Sequence, residues 1–162
     1  MSTNPVFVTA ATGTTDLLAE ELRVLGIADA REVHGGVEGV ATLGQAYRVC
    51  LWSRVGLRAL WRIAEFPVAN EGELYDGVRS ISWSEHLGEL DTFAVDFSGS
   101  VPGIDNSQFG ALRVKDAIVD QFREKTGQRP SVDRAAPMSS TCVAASPSSR
   151  SFMRLAAYRS PS

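Results

Sequence analysis

The order in which hydrophobic periodicities follow one another over the first 66 residues leaves few folds open. Val6 to Ala10 is a short β-prone run, and Gly13-Thr14-Thr15 then opens a helix through Leu17, Leu18, Leu22 and Leu25. Gly26 stops that helix, because a residue without Cβ takes the left-handed conformation at little steric cost. Arg31 to His34 and Val37 to Thr42 read as strands around a tight Gly35-Gly36 turn. Thr42 and Gln45 have the spacing of a reciprocal cap, which predicts a helix to about Trp52. Val55 to Ala64 then alternates, with Val55, Leu57, Ala59, Trp61 and Ile63 on one face and Arg58, Leu60 and Arg62 on the other. The resulting β-α-β-β-α-β order is the ferredoxin-like plan of an α+β protein. That plan leaves one sheet face without helices. Arg58 and Arg62 on such a face are either a solvated strand surface or a basic strip for RNA.

After Phe66-Pro67 the pattern changes. Asn70 with Glu73 predicts a capped helix reaching Ser80, and residues 81–87 read as a short helical turn. Thr92 to Ser98 alternates with Phe93, Val95 and Phe97 facing a core, which predicts a strand. A loop from Gly99 to Asp105 leads into a helix ending near Gly127, with Asp105 and Gln108 as its expected capping pair. At about 100° per residue, Ala111, Ile118 and Phe122 centre one apolar arc of this helix, with Leu112 and Val119 on one flank and Val114 on the other. Lys115 falls inside the arc. A buried ammonium is costly without a partner. The lysine therefore either lays its stem along the core and sends its head to water or an Asp, or it meets an anion such as an RNA phosphate.

Charge narrows the function classes. Before Met138 there are nineteen acids against thirteen basic residues, a net of −6, whereas residues 138–162 hold three arginines and no acid. An acidic body does not coat nucleic acid through bulk charge, so an RNA contact has to be a local patch. Between Ser107 and Arg134 such a patch exists: Arg113, Lys115, Arg123, Lys125, Arg129 and Arg134 face Asp116, Asp120, Glu124 and Asp133, a local +2. Cys50 and Cys142 lie outside any Cys-x-x-Cys pattern, and His34 and His86 lack metal-ligand spacing, so neither a disulfide framework nor a metal site is expected. No apolar run approaches the roughly 20 residues of a membrane span. The N-terminus also lacks the features of a secretory signal, which makes the cytoplasm the expected location. No nucleophile, carboxylate or phosphate-loop constellation marks a catalytic centre. Asp16, Glu20 and Glu21 read as a solvated acidic helix face.

Several separated motifs share one resemblance. Asn106-Ser107-Gln108, Val114-Lys115-Asp116-Ala117-Ile118-Val119-Asp120, Arg129-Pro130, Val132-Asp133-Arg134, His34-Gly35-Gly36-Val37 and Leu51-Trp52-Ser53-Arg54 occur in the order seen in the bacterial ribosomal large-subunit RNA methyltransferase L family. The likeness runs from about Phe7 to Pro137. It implies a ferredoxin-like unit at 1–66 followed by an RNA-binding THUMP unit at 67–137. It also implies that ribosomal RNA is the partner. The family continues with a domain that binds S-adenosylmethionine and methylates guanine N2, carrying an Asn-Pro-Pro-Tyr motif absent here, so the chain is expected to be non-catalytic alone and to hold no cofactor.

Past Pro137 the family pattern stops. Residues 138–162 contain eight serines and no Asp, Glu, Lys, Gly, Asn or Gln, which reads as an irregular tail, either from a frameshifted or truncated gene or as a natural divergent end. An α/β unit left incomplete in this way is expected to leave Phe93, Val95 and Phe97 short of neighbours, to be less stable than the first unit, and to invite self-association. The functional expectation is an RNA-holding module, with Lys115, Arg113, Asn106 and Gln108 as contacts and Arg58 and Arg62 behind them. Asn106 and Gln108 serve equally well as helix caps. The alternative is a protein-interaction or dimerisation fragment that binds no RNA.

Overall fold

The computed structural model describes residues 3–87, 92–97, 101–127, 131–132, 141–148 and 152–159, with backbone alone at residues 92, 131–132, 141–148 and 152–159. The chain forms two compact units, Met1–Arg62 and Ile63–Arg159.

In the first unit, β1 (Thr3–Thr9), α1 (Thr15–Val24), β2 (Arg31–Val33), β3 (Gly36–Thr42), α2 (Leu43–Trp52) and the first half of β4 (Arg58–Pro67) follow the expected order. The strands lie in the order β2-β3-β1-β4, all pairs antiparallel. Val6, Val8, Val37 and Ala41 of the sheet are buried against Leu18, Ala19 and Leu22 of α1 and Ala46 and Val49 of α2. The Thr42–Gln45 cap forms as its spacing predicts: the Thr42 hydroxyl accepts from the Gln45 N–H at 3.3 Å, and Gln45 Oε1 accepts from the Thr42 N–H at 2.7 Å. Gln45 Nε2 also donates to the Gly26 carbonyl at 2.6 Å, so one side chain starts α2 and holds the end of α1.

β4 starts at Arg58 rather than at Val55, and Glu21 is the reason. Its carboxylate accepts from the Ser53 hydroxyl at 2.6 Å, the Arg54 N–H at 2.9 Å and the Val55 N–H at 3.3 Å. Those backbone donors are thereby taken out of any strand ladder, and the 53–56 segment becomes a turn. Glu21 is thus not part of a solvated face; its side chain is 15% exposed. Burial alone would raise its pKa, but the Ser53, Arg54 and Val55 donors, with the Arg54 charge, bring it below the ordinary carboxylate value.

The second unit contains α3 (Glu71–Arg79), a short 3-10 turn (Trp83–Glu85), β5 (Thr92–Phe97), α4 (Ser107–Thr126), β6 (Ser131–Val132), β7 (Thr141–Ser148) and β8 (Phe152–Arg159). β5 lies between β6 and β7, parallel to both, and β7 pairs antiparallel with β8. The irregular tail expected over 138–162 is therefore corrected at 141–148 and 152–159. Thr141↔Arg159 to Ser148↔Phe152 is a continuous ladder. Composition misleads here because strand pairing joins backbone groups, and the parallel edge of β5 supplies the template. The starved core is corrected too: Phe93 is 0% and Phe97 3% exposed, packed with Leu74, Val78, Trp83, Val114 and Ile118. Gly110 allows the close approach of α4 to β5, since a Cβ there would stand 2.6 Å from the Phe97 ring.

Among the described residues, Gln121 is the buried polar residue of this core. Its Oε1 accepts from the Trp83 N–H at 3.0 Å, and its Nε2 donates to the Arg79 and Ile81 carbonyls at 2.6 Å each. Replacing it with leucine removes the side-chain donor of the half-buried Arg79 and Ile81 carbonyls and leaves the Trp83 N–H with the Ile81 carbonyl alone, so Gln121→Leu is expected to cost about 1–3 kcal/mol in urea unfolding despite its similar size. Glu21→Gln is expected to cost about 1–3 kcal/mol at neutral pH. Because the folded-state pKa of Glu21 is depressed, this contribution is full above the ordinary value of 4.5 and is lost as pH falls through the folded value. Urea titrations of both proteins from neutral to acid pH should therefore converge below that point.

Candidate nucleic-acid interface

The cap of α4 is Asn106, one residue later than the expected Asp105–Gln108 pair. Asn106 Oδ1 accepts from the Phe109 N–H at 2.6 Å, which frees Gln108 from any capping duty. Ser107 and Gln108 are exposed. With Ala94, Val95, Asp96 and Phe97 of β5 and Ala111 of α4 they line a cleft of about 350 Å³. Lys115 stands seven residues after Gln108, two turns along the same side of the helix. Its side chain is 21% exposed and its Nζ lies 2.9 Å from Asp116 Oδ1. Lys115 therefore resolves as a stem laid against apolar neighbours and a head brought out to a carboxylate.

Arg113 points elsewhere. It is ion-paired through Nε with Glu71 of α3, and its guanidinium lies 5.3 Å from the centre of the Tyr75 ring. That Nε is buried and held by charge rather than by a directed hydrogen bond. The same helix pair carries Tyr75 donating to Asp120 Oδ2 at 2.6 Å and an Arg79–Glu124 ion pair. The Asp120 hydrogen bond, then burial, raises the Tyr75 pKa, so the phenol remains a donor. Arg113 is thus tied into the α3–α4 contact, and the structure does not bring it together with Gln108 and Lys115. Arg58 and Arg62 belong to β4 of the first unit, on the sheet face turned away from α1 and α2.

Of the six candidate contacts, Asn106 and Gln108 lie at the start of α4, and Lys115 stands two turns further along the side that carries Gln108. Sequence reasoning missed the cleft beside them, because β5 and α4 meet only in the folded chain. It also missed Glu21 as a clamp, because the three donors it gathers lie more than thirty residues away.

Comparison with known proteins bears on both units. Residues 5–60 match the RlmL ferredoxin-like domain and residues 68–139 the THUMP domain. A ribosomal RNA large subunit methyltransferase K/L from Ectopseudomonas mendocina is 48% identical over 132 residues, covering 82% of this chain and 18% of that protein. The fold is that of a putative methyltransferase, SMU.472, solved with SAH (TM-score 0.79, 23% identity, 98% of this chain and 42% of that one). A 4-thiouridine synthetase solved with RNA and ATP is a more distant fold relative (TM-score 0.59, 12% identity, 98% and 42%).

The different placements of Arg113 and Lys115 separate two effects. Arg113→Met is expected to lower stability by about 1 kcal/mol, through a half-exposed ion pair and an aromatic contact. Lys115→Gln is expected to change stability by less than about 0.5 kcal/mol, its partner being the exposed side of Asp116. Thermal unfolding of the two variants checks both.

Proposed function

From a chain that carries the ferredoxin-like and THUMP domains of the ribosomal RNA large subunit methyltransferase K/L proteins, we propose an RNA-holding role. The two units present a stem of large-subunit ribosomal RNA to a methyltransferase domain. In the full-length relatives that domain would use S-adenosylmethionine on a guanine N2. The chain spans 18% of the length of the curated relative, so the methylation itself is a proposal about the whole protein. The observation that carries the reading is the succession of the two matched domains, 5–60 then 68–139, in the order the family requires. The RNA complex of the 4-thiouridine synthetase, which shares this fold, supports it.

Among the described residues no set fits S-adenosylmethionine. Among the described residues ahead of α4, Val101 and Ile104 are 3% and 4% exposed and bridged to each other. What α4 offers is a grip on phosphate. Asn106 takes the Phe109 and Gly110 N–H groups, so α4 would offer a phosphate only the N–H groups of its first two residues, beside Gln108, with the Lys115 ammonium two turns along the same side.

The THUMP match ends at residue 139. This supports a further part of our reading, that residues 138–162 are translated out of frame. Translating the neighbouring frames beyond the Pro137 codon and recovering no family sequence sinks it.

A protein-docking role has one observation in its favour. The outer side of α2 carries Leu43, Tyr47, Leu51 and Trp52 at 52%, 38%, 65% and 69% exposure. Anisotropy with a short RNA hairpin at several salt concentrations decides between the readings. Binding should weaken with salt, and Lys115→Gln should reduce the log–log slope by about 0.9, the loss of one duplex phosphate contact. No RNA binding, together with a dimer in sedimentation, favours the α2 surface instead.

A further inference from the structure

The Leu51-Trp52-Ser53-Arg54 motif closes α2 with its large side chains in water. Trp52 is 69% exposed and the Arg54 side chain 93%. Leu43, Tyr47 and Leu51 follow one another at intervals of four and form a single stripe along α2. Trp52 stands about 100° or more round the helix from each of them. It is instead the i+4 neighbour of Arg48 and shares that flank. Arg48 is exposed, and its Nη1 donates to the Leu25 carbonyl at the end of α1 at 3.4 Å. The Arg48–Trp52 flank is therefore the one nearer α1. Arg54 comes to the same side, its Nε 3.9 Å from Glu21. Glu21 and Leu25 are one turn apart on α1, so the two guanidinium groups stand at successive turns of that helix, with Trp52 on their flank.

The backbone under this flank is held from α1. Ser53 donates its N–H to the Val49 carbonyl at 2.9 Å and its hydroxyl to Glu21 at 2.6 Å, and the Arg54 and Val55 N–H groups end on the same carboxylate. An exposed ring on such a turn loses little freedom when something stacks on it. Charge says what that something is. Residues 43–57 hold Arg48 and Arg54 and no acid, in a chain whose first 137 residues carry a net −6. Glu21 is the acid beside them, and its oxygens already accept from three donors. A separation of 3.9 Å is beyond a hydrogen bond, so the Arg54 head stays in water. The other acids of α1, Asp16 and Glu20, stand about 140° and 100° round from Glu21. The carbonyl end of α2 disfavours an anion, so the ring that fits on Trp52 itself is uncharged. A flat uncharged ring with anions for Arg48 and Arg54 is a nucleobase between its phosphates. In a duplex the base faces are taken by their neighbours, so the base must be unpaired.

We propose that the end of α2 is a stacking site for an unpaired RNA nucleotide, with the base on Trp52 and the adjoining phosphates on Arg48 and Arg54. This rests on the RNA-holding reading above and deepens it. The side of α4 bearing Gln108 and Lys115 serves the duplex, and the Arg48–Trp52 flank of α2 serves single-stranded nucleotides.

The test uses the whole chain, with a short single-stranded oligouridylate and an RNA duplex as separate probes in fluorescence anisotropy. Trp52→Leu is expected to raise the single-strand Kd about fivefold or more, one base's stacking, while duplex binding stays within about twofold. The ring being exposed, the same variant should unfold at the wild-type temperature. Trp52→Phe should restore most of the affinity. Oligouridylate should quench the tryptophan emission of the wild type, and Trp52→Phe should bind without that quenching. Arg48→Gln and Arg54→Gln should each lower the salt slope for the single strand by about 0.7. If the wild-type chain binds duplex but Trp52→Leu leaves single-strand binding unchanged, the stacking site is overturned and the RNA-holding role survives. If neither probe binds, both fall. Self-association of the wild type that Trp52→Leu abolishes would make this flank a protein interface and overturn the proposal.

Discussion

The second unit depends on one side chain, the Gln121 amide. Strand pairing and apolar packing account for β5 and the underside of α4, but the passage from α3 into the Trp83 turn has no ladder of its own. The Arg79 and Ile81 carbonyls and the Trp83 N–H all reach one glutamine, and the Trp83 N–H also meets the Ile81 carbonyl at 2.9 Å. Without the glutamine the two carbonyls would lose their side-chain donor next to a buried tryptophan, a cost set against the burial of Trp83. With them paired, Trp83 is fully enclosed, and its indole N–H reaches the Val78 carbonyl at 2.7 Å. α4 is thereby fixed against the end of α3.

Glu21 does the corresponding work in the first unit. A carboxylate on α1 gathers the donors of residues 53–55 and sets where β4 begins. That start decides the register in which Arg58 comes opposite Thr9 and Leu60 opposite Phe7. A shift of one residue would send Arg58 and Arg62 to the helix side and Ala59 and Trp61 outward. In both units a buried or nearly buried polar side chain arranges a loop.

The side of α4 proposed for RNA is built economically. Asn106 closes the helix start by itself, which leaves Gln108 turned toward the cleft. Arg113, equally basic and only two residues from Lys115, is occupied with Glu71 and Tyr75. Helical geometry separates the two cations by about 200°. A count of basic residues along α4 therefore overstates the patch available to a phosphate, and salt dependence should follow the side occupied by Lys115 rather than the total.

Much was determined by the sequence itself. The β-α-β-β-α-β order, the Thr42–Gln45 cap, the inward set of β5 and the place of Lys115 inside an apolar arc all follow from local periodicity and spacing. Each depends on residues a few positions apart. The tertiary structure alone decided the rest. Glu21 became a clamp, Arg113 was drawn into the α3–α4 contact, and 141–148 and 152–159 became strands against the expectation of composition. Each of these joins partners far apart in the chain, through backbone donors or a strand edge that no side-chain pattern reveals, and only the folded register brings them together.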